Sequence, residues 1–190
     1  MFGLGKKKVT RSNAAAEFIS VSHEWNDKTF ESFRAKLQEA LRGWPETLGV
    51  LAEPRLQNWK AVKLRCLISQ LAIGTSTIRV VFPDRHFNPM INHIAIALER
   101  WEVSQEGFLK SMFFEDMLRV QSAIDAMSKG IALTPEIAIA ERFLSACGFF
   151  REDFKPDVIS NLVLMQTGVL LVEYNSGYWK SLSERYTLVD

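Results

Sequence analysis

The sequence predicts a mainly α fold, built as a compact multi-helix, bundle-like domain. Hydrophobic residues make up 47% of the 190-residue chain, which is enough to bury a core in one domain of this length. In several segments the apolar residues recur three and four positions apart, the spacing that places them on one face of a helix. Capping residues precede some of these segments and glycines follow several of them. Together these observations favour helices over most of the chain.

The first residues differ from the rest in composition. Residues 1–13 carry four cations and no carboxylate, and their few apolar residues follow no helical spacing. We therefore expect a flexible basic tail over 1–13. Because the later connections are short and no linker separates them, we expect a single helical domain over 14–190.

The first half of the domain is expected to contain three helices. A short helix is predicted over 14–25 and a long one over 27–42, which Gly43 ends. A third helix is predicted over 55–73, and Gly74 ends it.

The second half shows clearer start signals. Asn88-Pro89 and Thr134-Pro135 each place a capping side chain before a proline, the arrangement typical of a helix start. The predicted helices cover 88–103, 104–130, 134–148 and, at the end of the chain, 179–186.

Two segments are candidates for strands. Residues 75–82 (TSTIRVVF) are rich in β-branched side chains and lie between Gly74 and Pro83. Residues 158–174 fit either one helix interrupted at Gly168 or a helix followed by a strand over 169–174. If both are strands, they form a small two-stranded β element.

Charge and cysteine content narrow the function classes. With 23 basic and 22 acidic residues the net charge is +1, which argues against a nucleic-acid binder. Cys66 and Cys147 are far apart, so we interpret them as free thiols in a reducing compartment and expect the cytoplasm.

The uncharged stretch 158–172 is shorter than the about 20 residues of a membrane span, so no membrane span is predicted. Residues 1–8 join Phe2 and Leu4 to three lysines, and weak membrane association through them stays an alternative.

Motifs for catalysis are missing from the sequence. It contains no glycine-rich phosphate loop, no nucleophile elbow, and no histidine and cysteine spacing of a zinc site. We therefore predict no catalytic residues, no cofactor and no metal ligand.

A local excess of positive charge is the main functional signal. Between Pro54 and Pro83 the chain has no carboxylate and five cations: Arg55, Lys60, Lys63, Arg65 and Arg79. Lys60 and Lys63 share one helical face with Trp59 at its border, and Phe114 lies off the apolar stripe of its own helix. We predict that Trp59, Lys60, Lys63 and Phe114 contact a partner. The alternative is that carboxylates of residues 84–157 neutralise the cations within the chain.

These observations predict a non-catalytic interaction protein: an adaptor, assembly subunit or chaperone-like binder with an aromatic and locally basic helical surface. Its partner is expected to be another protein with an acidic surface, and a homo-oligomer is an alternative. A second hypothesis is a helical enzyme or small-ligand binder with an internal cavity. The polar residues expected around such a cavity are Gln70, Asn92, His93 and Gln166.

Overall fold

The computed structural model describes residues 6–44, 49–101, 108–131, 133–151, 158–175 and 177–190. Within them the chain is mainly α with a small two-stranded sheet, which confirms the predicted fold class. In chain order the elements are β1 (Lys7–Thr10), α1 (Arg11–Arg42), α2 (Trp59–Ser76), α3 (Ile78–Val81), a 3-10 turn (Asp84–His86), α4 (Phe87–Trp101), α5 (Phe108–Ser128), α6 (Pro135–Cys147), α7 (Val158–Glu173), α8 (Tyr178–Arg185) and β2 (Tyr186–Val189).

The sheet joins the two ends of the chain. Strands β1 and β2 pair in parallel, with Lys7 opposite Tyr186. From Lys7 onward, the predicted flexible tail over 1–13 is therefore a strand followed by the start of α1, while residues 1–5 lie outside the described ranges. The side-chain oxygen of Thr10 caps α1 by accepting a hydrogen bond from the Asn13 amide at 3.3 Å.

The strand predicted at 75–82 is wrong, because the segment is helical, and of the two alternatives left open for 169–174 the structure has the helix. Residues 75–82 cover the end of α2, all of α3 and Phe82, while 169–174 cover the end of α7 and one turn residue. The hydroxyls of Thr75 and Thr77 each donate to a carbonyl of the preceding turn at 2.7 Å. A threonine hydroxyl can form this hydrogen bond inside a helix, so burial of the segment outweighs the preference of threonine for strands.

Helix α1 is one helix of 32 residues, where the sequence predicted two, over 14–25 and 27–42. Asn26 lies in the middle of it and is buried. Its amide Nδ2 donates to the carbonyl of Lys63 on α2 at 3.1 Å. Because the side chain bonds to a neighbouring helix, it does not compete for the backbone of α1, and the helix continues.

Helix α2 lies at the centre and contacts α1, α5, α6 and α7. By length and composition, Trp59–Val81 is the one described stretch long and apolar enough to cross a membrane, with a mean hydropathy of 1.2. However, 67% of that window is buried inside the protein. A helix that is apolar all round is also what the core of a folded domain requires, and α2 occupies that position.

The other predicted helices correspond to observed ones: 55–73 to α2, 88–103 to α4, 104–130 to α5, 134–148 to α6 and 179–186 to α8. Thr134 caps α6, and Gly148 ends it in the left-handed conformation at φ +75°. The predicted end at Gly74 is wrong, because α2 begins at Trp59 after its cap Asn58 and continues through Gly74 to Ser76. The start predicted at Asn88-Pro89 is also wrong by a residue or more, because α4 already begins at Phe87.

A continuous cluster of buried apolar side chains extends from α1 to β2. The largest fully buried aromatic side chains are those of Phe18, Phe33, Phe87, Phe113, Phe143, Phe149 and Trp179. Much of the aromatic content that suggested a contact surface is therefore internal.

Candidate partner-binding groove

Residues 54–83, which we call the basic stretch, contribute three cations to α2, and these lie on different faces of the helix. The Arg65 side chain is only 2% exposed, and its Nη2 donates to the carboxylate of Asp116 on α5. Ser69 also donates to this carboxylate, at 3.2 Å, and Arg142 Nε donates to it at 3.0 Å. Burial raises the pKa of Asp116, and the charge and hydrogen bond of Arg65 oppose that rise. Arg65 is thus neutralised inside the chain, as the alternative interpretation proposed.

Lys63 forms an ion pair within the chain. Its Nζ lies 2.7 Å from Oδ1 of Asp27 on α1, and this hydrogen bond lowers the pKa of the Asp27 carboxyl. His23, one turn earlier on α1, lies 3.4 Å from the other carboxylate oxygen. The Asp27 partner comes from before the basic stretch, not from residues 84–157.

Trp59 is half-buried at the start of α2. Its indole Nε1 donates to Glu53 at 3.0 Å, and the Arg34 guanidinium lies 4.4 Å from its ring centre. These contacts give Trp59 a role in holding α1, α2 and the preceding loop together. Lys60, the next residue, is exposed and makes no ion pair with any residue in the described ranges.

Phe114 lies away from the two lysines. It is half-buried on α5 and packs against the core beside Phe113, with 6.3 Å between the ring centres. Phe108, the first residue of α5, is instead 54% exposed and faces the same groove as Lys60 and Lys63. In the sequence Phe108 is one of the apolar residues that extend this helical face beyond what one neighbouring helix covers, but it was not among the predicted contact residues.

An open groove of about 520 Å³ brings these features together. We call it the α1–α2 groove, and it is lined by His23, Asn26, Asp27, Asn58, Lys60, Ala61, Lys63, Leu64, Leu67 and Phe108. Most of its exposed wall is apolar, with polar groups at defined points. It therefore contains two of the four predicted contact residues, Lys60 and Lys63, but neither Trp59 nor Phe114.

The groove carries a small positive excess and one buried polar atom. Lys60 and Lys63 face the single carboxylate of Asp27. Asn26 is 2% exposed, and no residue in the described parts of the chain donates to its Oδ1. A ligand segment with a carboxylate near Lys60 and a large apolar group against Phe108 would complement this wall.

The residues expected around an internal cavity do not converge. Gln70 is buried within α2, and Asn92 is exposed on α4. His93 lines a separate groove beside α1, while Gln166 on α7 accepts a hydrogen bond from Trp44 at 2.9 Å. The four side chains therefore do not form one polar site.

Neither cysteine has the environment of a nucleophile. Both thiols are free and buried. Burial raises the pKa of Cys147 to about 12 and raises that of Cys66 well above its usual value. Among the described residues, no group of three histidine, cysteine or acidic side chains is placed to hold a metal ion.

Comparison of the chain with protein-family models, curated proteins and solved structures finds no match. The α1–α2 groove and the other exposed surfaces of the described residues are therefore the features that bear on function.

Proposed function

We propose that this protein is a non-catalytic interaction protein, an adaptor, assembly subunit or chaperone-like binder, that holds an acidic and partly apolar segment of another protein in the α1–α2 groove. The observation that carries the proposal is that Lys60 and Phe108 line the same groove. An exposed lysine without an ion pair among the described residues and an exposed aromatic ring line the same concave surface.

The groove assigns different roles to its charged and apolar residues. Exposed charges mainly steer association and fix orientation, whereas large apolar contacts in a pocket supply most of the binding energy. Lys60 is suited to the first role, and Phe108 with Leu64 to the second. Lys63 already bonds to Asp27, so its contribution to a partner is expected to be smaller than that of Lys60.

A small apolar ligand with one acidic group is the second candidate. The groove volume of about 520 Å³ falls within the range of small-molecule sites, about 300–1,000 Å³. Its openness to solvent favours a segment of a larger molecule. In this proposal the protein works in the cytoplasm, because both cysteines are free thiols.

The test is a selection of peptides from a random displayed library on the intact chain. Binding of the selected peptides is then measured for the natural chain, Lys60→Glu and Phe108→Ala. Lys129→Glu serves as the control, because Lys129 is also exposed but follows the far end of α5. We expect selected peptides to contain carboxylates beside large apolar residues, and each groove substitution to weaken binding about tenfold or more.

Lys63→Glu is left out because it would place a second carboxylate beside Asp27 and disturb the fold. Binding that Lys60→Glu and Phe108→Ala leave unchanged would contradict the proposal, and so would a selection that yields no specific peptide. Thermal stabilisation by a small acidic metabolite, abolished by the same substitutions, would support the second candidate instead.

A further inference from the structure

We infer that a second copy of this chain covers the exposed side of α7, forming an antiparallel helix pair about a two-fold axis. Four large apolar side chains form this surface, which we call the α7 face: Leu162, Met165, Val169 and Val172, with exposed fractions of 49%, 50%, 64% and 43%. The inference is independent of the α1–α2 groove.

The α7 face is exposed on a helix whose sequence suits complete burial. Residues 158–172 contain no charged side chain, and the opposite side of α7 is buried through Val163 and Leu171. A helix that is apolar all round is normally enclosed on all sides, as the uncharged residues 66–75 of α2 are. The four side chains leave roughly 350 Å² at the surface of each copy, which is within the size range of the apolar patches that are often functional on monomers.

The spacing of the α7 face fits a second α7. Its residues are separated by three, four and three positions, which is the heptad spacing of a two-helix seam. The spacing is the same when read backwards, so an antiparallel copy meets it in register. Leu162 then lies opposite the partner's Val172, and Met165 opposite the partner's Val169. Each layer combines a larger with a smaller side chain, as good packing requires.

Polar groups around the α7 face allow self-association. Glu173 bonds to Lys36 of the same copy at 2.6 Å, so it does not bring an unpaired charge to the axis. Gln166 lies near the middle of the face, and its Oε1 accepts from Trp44 Nε1. The amide nitrogen of Gln166 is exposed and can donate to the second copy.

The surroundings of the α7 face favour a second copy over a lipid surface. Helices that bind anionic membranes carry lysines or arginines beside their apolar face. On the α1 side, the groove of about 710 Å³ next to the α7 face is lined by Lys36, which is paired with Glu173, and by Glu39, so its charged residues give no excess of positive charge.

The area predicts a dimer of modest affinity. The four side chains contribute roughly 700 Å² over two copies, and the half-buried Trp44 and Ala40 extend the contact along the groove. The total stays below about 1,200 Å², in the range of weak and transient complexes. We therefore expect association in the micromolar range.

The test measures the mass of the full chain by sedimentation from about 1 to about 300 µM, a range that brackets micromolar affinity. The natural chain should rise from 21.7 kDa towards twice that mass. Met165→Lys alone and Val169→Glu alone should stay monomeric, because each buries two unpaired charges in the pair. A mixture of the two should regain the dimer, since the introduced ammonium of one chain then lies opposite the introduced carboxylate of the other.

The orientation has its own control. A mixture of Met165→Lys with Met165→Glu should stay monomeric, whereas a parallel pair would be restored by it. Leu118→Lys, at an exposed apolar position on α5, should dimerise like the natural chain. If a variant fails to fold by circular dichroism, Leu162→Glu mixed with Val172→Lys replaces the pair.

A natural chain that stays at 21.7 kDa over the whole range would overturn the inference. Failure of the opposite-charge mixture to regain the dimer would overturn the antiparallel pairing. Co-sedimentation of a monomeric natural chain with phosphatidylserine vesicles, lost in Met165→Lys, would identify a lipid surface as the occupant and would also overturn it.

Discussion

The buried pair of Arg65 and Asp116 allows a quantitative test of how α2 and α5 are held together. Replacing Asp116 with leucine leaves the Arg65 guanidinium 2% exposed without its carboxylate, and Arg65 Nε already lacks an acceptor among the described residues. Removing one partner of a buried ion pair typically costs about 3–5 kcal/mol, because the remaining charge stays buried without compensation. We expect Asp116→Leu to lower the free energy of unfolding by that amount.

The reverse substitution should cost less. In Arg65→Met the Asp116 carboxylate keeps two donors, Arg142 Nε at 3.0 Å and Ser69 Oγ at 3.2 Å. We expect a loss of about 1.5–3 kcal/mol, the order of one hydrogen bond to a charged group. In the double variant no buried charge is left unpaired on α2. Its loss should therefore be smaller than that of Asp116→Leu alone, by about 2 kcal/mol or more.

The measurement is urea unfolding of the four chains, followed by tryptophan fluorescence, with the slope m compared between variants. Trp179 is 1% exposed, so its emission reports loss of the core. Lys110→Met is the surface control: the Lys110–Glu99 bridge at 2.9 Å is largely solvent-exposed, and its loss should cost at most about 1 kcal/mol. A double variant as unstable as the sum of both single variants would refute the reasoning, since the two groups would then act independently.

Two further predictions concern pH and backbone conformation. Burial lowers the pKa of His86, and Arg11 and Arg85 lower it further, so the folded state prefers the neutral imidazole. The stability that this group contributes should be complete above about pH 6.5 and should be lost as the pH falls through the folded-state pKa. Urea unfolding at several pH values should show a shallower acid-side decline for His86→Gln, and equal declines would contradict this assignment. Gly148 has φ +75°, and in Gly148→Ala the added Cβ would lie 2.7 Å from the backbone nitrogen of Leu56. We therefore expect the free energy of unfolding to fall by about 2 kcal/mol or more. Gly177→Ala, at φ +62° with open space, should cost about 1 kcal/mol in the same assay, and equal losses would show that the contact is unimportant.

The sequence predicts helix ends better than it predicts helix continuity. Thr134 and Gly148 act within one or two turns of α6, and the structure confirms both. The continuity of α1 depends on a contact between Asn26 and a carbonyl on α2, 37 residues further along the chain. Local residue types carry no signal of such a contact, because tertiary packing decides whether an asparagine caps a helix or lies inside one.

The same limit applies to the strand predicted at 75–82, to the two alternatives for 169–174 and to the sheet. The threonines of 75–82 are compatible with a strand or with a helix whose hydroxyls bond to the preceding turn. The actual strands, β1 and β2, are four residues each and come from opposite ends of the chain. A parallel pair of this kind has no turn signal, so the local pattern does not predict it.

The candidate groove was predicted in part. The shared face of Lys60 and Lys63 follows from the period of a helix, and the structure places both in the groove. The commitment of Lys63 to Asp27 and the exposure of Phe108 depend on how α1 and α5 pack beside α2. Helical spacing alone does not say which neighbour covers a given face.

The row of exposed apolar side chains on α7 is aliphatic. Exposed apolar residues such as Leu56, Val80 and Leu118 lie singly on different parts of the chain, and single exposed side chains are normal in folded proteins. On α7 four of them form one row with regular spacing. Residues 66–75 of α2 and residues 161–172 of α7 are both uncharged, yet the first segment is buried by the rest of the chain and the second keeps an exposed row. Because the sequence alone does not distinguish these two situations, the unburied row on α7 is the point at which the structure adds most to a functional interpretation.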